Sequence, residues 1–354
     1  MSSGRRRALV VGTGLIGGSI GLALKAQGWH VTGRDVDESR AARAVELGAL
    51  DDVGDDPDAD VTFVATPVGS VAREARAALG GDGVVTDVGG VKAPIVAAVA
   101  DARFVGGHPM AGSEQEGVEG ADAALFEGAT WVLTPTDDTD AEAYSRVRSV
   151  VSSFGAEVVA LRPENHDALV ALVSHVPHLT AAALMQLAAT GAEEHGALLR
   201  LAAGGFRDMT RVAAGHPGIW PDICAENRDA IVAGIDRLQA ALSETRALVD
   251  GRDRDALLQW LEEARRARVN LPVRAPRPEE LAEIRVPVPD RPGVLAEVTT
   301  LVSEIGVNMF DFETVHSSAG DRGVLVFLVE ARSADLVRGA LLARGYKPSA
   351  RPLA

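Results

Sequence analysis

The side chains best suited to proton and anion chemistry sit in short runs of small residues. His108 lies in Val-Gly-Gly-His-Pro-Met-Ala-Gly-Ser-Glu, residues 105–114, with Ser113 and Glu114 close behind it. His175 and His178 belong to Ser-His-Val-Pro-His at 174–178. Arg211 closes Gly-Gly-Phe-Arg-Asp-Met-Thr-Arg at 204–211, with Asp208 inside the run and Trp220 soon after. A neutral imidazole with an ordinary pKa near ~6.5 can take a proton at neutral pH. An arginine in an apolar setting can grip a carboxylate through two parallel N–H···O bonds, here beside an aromatic wall. Plainer readings compete: a turn with an incidental histidine at 108, packed core histidines at 175 and 178, a surface ion pair at 211. The elements that position these residues decide between them.

A short β-type run at 8–11 leads into Gly12-Thr13-Gly14-Leu15-Ile16-Gly17, followed by an amphipathic helix that ends at Gly28. The glycines make a tight turn, let backbone N–H groups approach a pyrophosphate and allow close helix–strand contact. A second strand at 30–33 delivers Asp35, 23 residues after Gly12. An acid there holds a ribose hydroxyl pair, which favours NAD over NADP. Arg34 beside it could instead face a 2′-phosphate or stack on adenine. Further strands end at Thr66-Pro67, at Asp87 and at Gly107, and these ends should line one edge facing the cofactor. A late strand at 130–134, a helix over 140–154 and a last strand at 157–161 complete the alternation. Strands alternating with helices predict a Rossmann-type doubly wound, mostly parallel sheet.

From Pro163 the pattern is helical only. Pro177 should kink the helix over 168–187 and free a carbonyl, shaping a pocket wall. Long helices over 227–248 and 253–266 carry apolar residues at three- and four-residue spacing, as in a helical half that packs against its own copy. A segment rich in proline and arginine reads as a linker. Beyond it the order βαββαβ marks a ferredoxin-like unit, its first helix opened by Asp290-Arg291-Pro292-Gly293-Val294-Leu295. The boundaries expected are 1–163 for a dinucleotide-binding domain, 164–268 for an all-α dimerisation domain, 269–279 for the linker and 280–354 for the last domain.

A net charge of −15 opposes nucleic acid or an anionic membrane as partner. The lone Cys224 excludes an internal disulfide and any multi-cysteine metal site. No metal cluster stands out. No uninterrupted apolar run approaches ~20 residues, and the short basic start lacks a secretory core. A soluble cytoplasmic protein is the expectation.

On Asp-Val-Gly-Gly-Val-Lys at 87–92, the His-Pro loop at 106–114, Ser-His-Val-Pro-His, Gly-Gly-Phe-Arg-Asp-Met-Thr-Arg and Trp220, the chain resembles the prephenate dehydrogenase family. The likeness covers essentially its whole length. Residues 290–295 are similar to the ligand loop of regulatory ACT domains. The resemblance implies NAD-dependent oxidative decarboxylation of prephenate to 4-hydroxyphenylpyruvate, in tyrosine biosynthesis. It implies that His108 takes the proton of the ring hydroxyl as hydride leaves the same carbon. Arg211 would bind a substrate carboxylate and His178 the substrate's other end. Ser113 and Glu114 would line the mouth, and Asp208 and Trp220 would shape the arginine's surroundings. A homodimer and tyrosine as feedback ligand follow from the same likeness. One departure is visible at Gly90, where many relatives carry a serine that orients the histidine. Arogenate dehydrogenase, the same reaction on an aminated substrate, stays open. A β-hydroxyacid dehydrogenase is disfavoured, since such enzymes use a lysine in the second domain and none lies between Lys92 and Lys347. An amino-acid-sensing, non-catalytic binding protein is the remote alternative.

Overall fold

The computed structural model describes residues 5–112, 115, 117–270, 280–289, 291, 293–316 and 322–353. Two compact units divide the chain, Met1–Leu271 and Pro272–Ala354. In the first, the strands are β1 (Arg7–Val11), β2 (His30–Arg34), β3 (Asp52–Val53), β4 (Val61–Val64), β5 (Val84–Asp87), β6 (Phe104–Pro109), β7 (Thr130–Thr134) and β8 (Glu157–Ala160). They form one sheet in the order β3-β2-β1-β4-β5-β6-β7-β8. β4 and β5 are buried at every position. This is why they read as continuous β-branched runs rather than as alternating ones. β1 pairs in parallel with both β2 and β4. The chain therefore winds away from β1 in both directions, and the crevice at the ends of β1 and β4 is the switch point where such sheets bind ligands.

The doubly wound sheet is as expected, with one addition. β6 and β7 pair antiparallel while β7 and β8 pair parallel, so the last two strands oppose the first six. Trp131 of β7 anchors this end. It is fully buried, with ring centroids 5.0 Å from Phe126 and 6.4 Å from Phe63.

The helices of this part are α1 (Leu15–Ala26), α2 (Glu38–Glu46), α3 (Val68–Ala78), α4 (Ala93–Val99) and α5 (Ala141–Ser152). Sequence patterning missed α2, α4 and the two-residue β3. α2 buries only Ala41 and Ala44, and α4 only Ile95 and Val99, so neither shows a broad apolar stripe.

The helical part comprises α6 (Pro163–Val170), α7 (Val176–Glu194), α8 (Gly204–Thr210), α9 (Trp220–Glu226), α10 (Arg228–Asp250) and α11 (Arg254–Val269). Between α6 and α7 the helix does not break at Pro177. One turn of π-helix, Ala171–His175, stands just ahead of it, because Pro177 supplies no N–H to the preceding turn. The expectation about apolar stretches is corrected here. Pro163–Glu193 runs 31 residues at a mean hydropathy of 1.6, long and apolar enough by length and composition to cross a membrane. Ser174, His175, His178 and Thr180 interrupt its apolar runs, so no single run shows its length. Its polar residues His166, Asp167 and His175 are buried, while Leu169, Leu172, Val173 and Leu187 are exposed.

The second unit contains β9 (Leu281–Pro289), α12 (Val294–Glu304), β10 (Asp311–His316), β11 (Arg322–Glu330), α13 (Ala334–Ala343) and β12 (Ser349–Pro352). Its sheet runs β10-β11-β9-β12 with antiparallel neighbours throughout, the βαββαβ arrangement the sequence predicts. Ile284, Val286, Leu325, Phe327 and Val329 on the central strands pack against Val298, Val302, Val337 and Leu341 from the two helices.

Candidate active site

At the end of β1 the chain turns sharply into α1. Gly12 adopts φ +94°, and a Cβ there would lie 2.5 Å from the Ala65 carbonyl oxygen. A Cβ at Gly17 would lie 1.9 Å from the Gly12 carbonyl oxygen, so helix and turn approach as closely as backbone allows. Gly14, by contrast, faces open space. α1 starts there with neither a side-chain cap nor an acidic residue in its first turn, which suits a pyrophosphate beside Leu15 and Ile16. Asp35 is pinned to this loop. One of its oxygens accepts the Thr13 N–H at 2.8 Å and the Thr13 hydroxyl at 3.2 Å; the other accepts the Asp37 N–H at 3.0 Å. The Arg34 alternative loses ground, because that guanidinium is paired with Asp55 at 2.5 Å and with Glu74 at 2.8 Å. Pro67 precedes α3, and the hydroxyl of Thr66 is buried with no hydrogen-bond partner among the described residues. An acid for the ribose, an open helix start and a spare buried hydroxyl fit a dinucleotide.

Asp87 corrects an expectation. It was expected beside the cofactor, yet its side chain is fully buried and its oxygens are satisfied inside the protein. They accept the Gly89 N–H at 2.8 Å, the Gly107 N–H at 3.1 Å and the ammonium of Lys92. Lys92 is also fully buried and donates to the Gly107 carbonyl at 2.9 Å. Its own burial pushes the Lys92 pKa down, and Asp87 opposes that shift.

His108 lies inside β6, not beyond it. The strand runs to Pro109, and His108 pairs with Val132 of β7. Its backbone is therefore held in the sheet by β7, while the pairing of β6 with β5 ends at Val105. Its Nδ1 is 2.8 Å from Nε2 of His166, whose Nδ1 is 2.7 Å from Oδ1 of Asp167. Asp167 accepts two further bonds, from the backbone N–H groups of Lys92 at 2.7 Å and Ala93 at 2.8 Å. Desolvation pushes the His108 pKa well below its ordinary value, and charge on His166, Lys92 and His175 adds to that. The ring is thus neutral at physiological pH. A Cβ at Gly90 would meet His108 Cε1 and Nε2 at 3.7 Å, ordinary contact, so this glycine faces the imidazole directly.

Around the π turn a second group forms. The Asn227 amide donates to the Asp167 carbonyl at 3.0 Å and lies 3.2 Å from His175 Nδ1. Burial takes the His175 pKa down to about 4. His178 stacks on Trp220 with centroids 3.7 Å apart, and His175 meets the same indole edge-on at 6.0 Å. Trp220 is therefore the platform of His178, a pairing the sequence did not suggest. Asp208 and Arg211 are exposed, on α8 and the 3₁₀ turn Arg211–Ala214 that packs against α7. Ser113 and Glu114 lie outside the described residues.

Sequence reasoning missed His166, Asp167 and Asn227 and left Lys92 without a role. The available signals were a His-Asp pair at the head of an apolar helix and a lysine in a chain that otherwise prefers arginine. Removing one member of a fully buried ion pair leaves the other charge uncompensated, at about 3–5 kcal/mol. Lys92→Met should therefore lower the midpoint of urea unfolding strongly. Combining it with Asp87→Asn should recover part of that loss.

Family models match most of the first unit: the nucleotide-binding domain of prephenate dehydrogenase over residues 20–160 and its dimerisation domain over 162–263. Prephenate dehydrogenase of Bacillus subtilis is 33% identical over 334 residues, covering 90% of each chain. The structure of the Aquifex aeolicus prephenate dehydrogenase with hydroxyphenyl propionate and NAD+ is 30% identical with a TM-score of 0.72. It covers 77% of this chain and 100% of that one. Arogenate dehydrogenase of Synechocystis is 31% identical with a TM-score of 0.65, over 74% and 99%. The chain, an NAD-dependent oxidoreductase, belongs to the prephenate dehydrogenase family.

Proposed function

We propose that this chain catalyses the oxidative decarboxylation of prephenate to 4-hydroxyphenylpyruvate. The observation that carries the reading is His108: a neutral imidazole, held in the sheet by pairing with β7 and by His166, on the same edge as the dinucleotide crevice. When bound, NAD supplies the hydride acceptor. His108 takes the hydroxyl proton as the carbinol carbon loses hydride, and the carboxylate on the opposite ring carbon departs as carbon dioxide. Aromatisation drives that departure, so the protein need only position the ring and remove one proton. Arg211 binds a substrate carboxylate with Asp208 and Trp220 shaping its surroundings, His178 on its Trp220 platform contacts the far end, and Ser113 and Glu114 line the mouth. Thr66 and Pro67 sit against the cofactor.

The same unit acts as a soluble, cytoplasmic homodimer in this reading. A second copy, rather than lipid, covers the apolar face that Leu169, Leu172, Val173 and Leu187 present. The buried His166 and Asp167 on that helical segment and the family's dimerisation model over it support this. The C-terminal unit is a regulatory ACT domain with tyrosine as its ligand. Gly293, at φ +85°, opens α12 without a side-chain cap. Arg291 is tied to Glu297 at 2.7 Å, Val294 enters the core and Leu295 is exposed. Asp290 and Pro292 of that loop lie outside the described residues.

The deciding experiment compares initial rates on prephenate and arogenate, each with NAD and with NADP. Prephenate with NAD should be fastest, with kcat/KM at least about 10²-fold above NADP, because Asp35 repels a 2′-phosphate. Faster turnover of arogenate would assign the chain to its aminated counterpart, and no NADH from either would leave a binding protein.

His108→Asn should lower kcat by about 10²–10⁴ with little change in KM. Because the folded pKa is depressed, the base form persists as pH falls through 6.5. The wild-type kcat should therefore hold level there and decline only at more acidic pH, where imidazolium forms. That limb should be missing from His108→Asn.

Removing residues 272–354 should abolish the non-competitive part of inhibition by tyrosine. Undiminished inhibition would place tyrosine in the active site instead.

A further inference from the structure

We propose that His166, aligned by Asp167, is the positioning residue that sets which nitrogen of His108 carries the proton, leaving Nε2 free to act as base. The inference rests on the reading of His108 as the proton acceptor and supplies what orients it where Gly90 offers no side chain. With both rings neutral, the chain of contacts has only one consistent direction. Asp167 receives the backbone N–H groups of Lys92 and Ala93 at 2.7 and 2.8 Å, so its carboxylate acts as acceptor throughout. His166 Nδ1, at 2.7 Å, must then donate to it. Donation from Nδ1 leaves Nε2 of a neutral His166 as a lone pair. His108 Nδ1, 2.8 Å away, must donate to that lone pair. The remaining nitrogen of His108, Nε2, is left unprotonated, on the ring edge that faces Gly90. The reverse order would need a protonated carboxyl among backbone donors.

The geometry also holds the ring. The two imidazoles cross at 73° with centroids 5.1 Å apart, and His166 is fully buried on a helix whose next residue is bonded to the start of α4. His108 cannot rotate about its Cβ–Cγ bond without losing this partner. When Nε2 accepts the substrate proton, the positive charge gained is shared through the Nδ1–H···Nε2 bond with a ring that already faces a carboxylate. Among the described residues, Lys92 bonds instead to Asp87 and the Gly107 carbonyl and His175 to Asn227, so neither takes the place of His166 in this role.

Three measurements test the assignment. His166→Leu should lower kcat on the order of 10–10²-fold, with KM for prephenate and NAD affinity within about threefold of wild type. His166→Gln can accept from His108 through its carbonyl and donate to Asp167 through its amide, and should restore most of the lost rate. In the wild type, ¹⁵N spectra of the histidine rings should show His108 and His166 both protonated on Nδ1, which needs no variant to fold. Full kcat in His166→Leu, equal losses in Leu and Gln, or an Nε2-protonated His108 would overturn the proposal. His108→Asn, run alongside, separates the two readings: if it keeps its rate the base assignment fails, whereas its inactivity beside a fully active His166→Leu sinks the positioning role alone.

Discussion

Two buried opposite charges, Asp87 and Lys92, hold the catalytic edge of the sheet together. Each is fully buried, and together they tie the turn after β5 to Gly107 of β6. Asp87 fixes the turn after β5 through the Gly89 N–H and reaches across to the Gly107 N–H on β6; Lys92 returns to the Gly107 carbonyl. This leaves no room for a side chain at Gly107, where a Cβ would lie 2.6 Å from the Asp87 carbonyl oxygen. Such a pair adds little net stability over apolar packing, but any departure from its geometry exposes a bare charge. It therefore acts as a register device, fixing where β6 lies and so where His108 stands.

From that pair the constraint spreads by backbone. The Lys92 and Ala93 N–H groups bind Asp167, which joins the sheet edge to the helical part and presents His166 to His108. The environment so made is buried, with Lys92 paired to Asp87 beside the rings. It keeps imidazoles neutral, as His108 and His175 both show, and a neutral imidazole is the form that can accept a proton. Asn227 extends the same network to His175, and the Trp220 indole carries it on to His178.

The segment Pro163–Glu193 meets two demands with one helix. Its inward side must carry polar groups to the site, and its outward side is apolar. The π turn before Pro177 widens the helix locally and places His175 inward while the axis continues. A composition test alone would read such a helix as a membrane span. Buried His166, Asp167 and His175 argue for packing against protein.

Local spacing was enough to read the dinucleotide turn, because a Gly-x-Gly-x-x-Gly after a strand has few other backbone solutions. It was enough for the alternation that builds the sheet and for the βαββαβ unit, since periodicity is a property of neighbours in sequence. It singled out His108 but ended its strand too early, because the pairing of His108 with Val132 of β7 is a long-range contact. The role of Arg34 could not be read locally, as its partners Asp55 and Glu74 come from other elements. The same holds for the burial of Asp87 with Lys92, for the stack of His178 on Trp220 and for the bond from His108 to His166, 58 residues apart. A sequence determines which groups are available and what backbone each segment prefers. Which charge faces which, and which nitrogen is left free, depends on distances set only when the strands and helices close around one another.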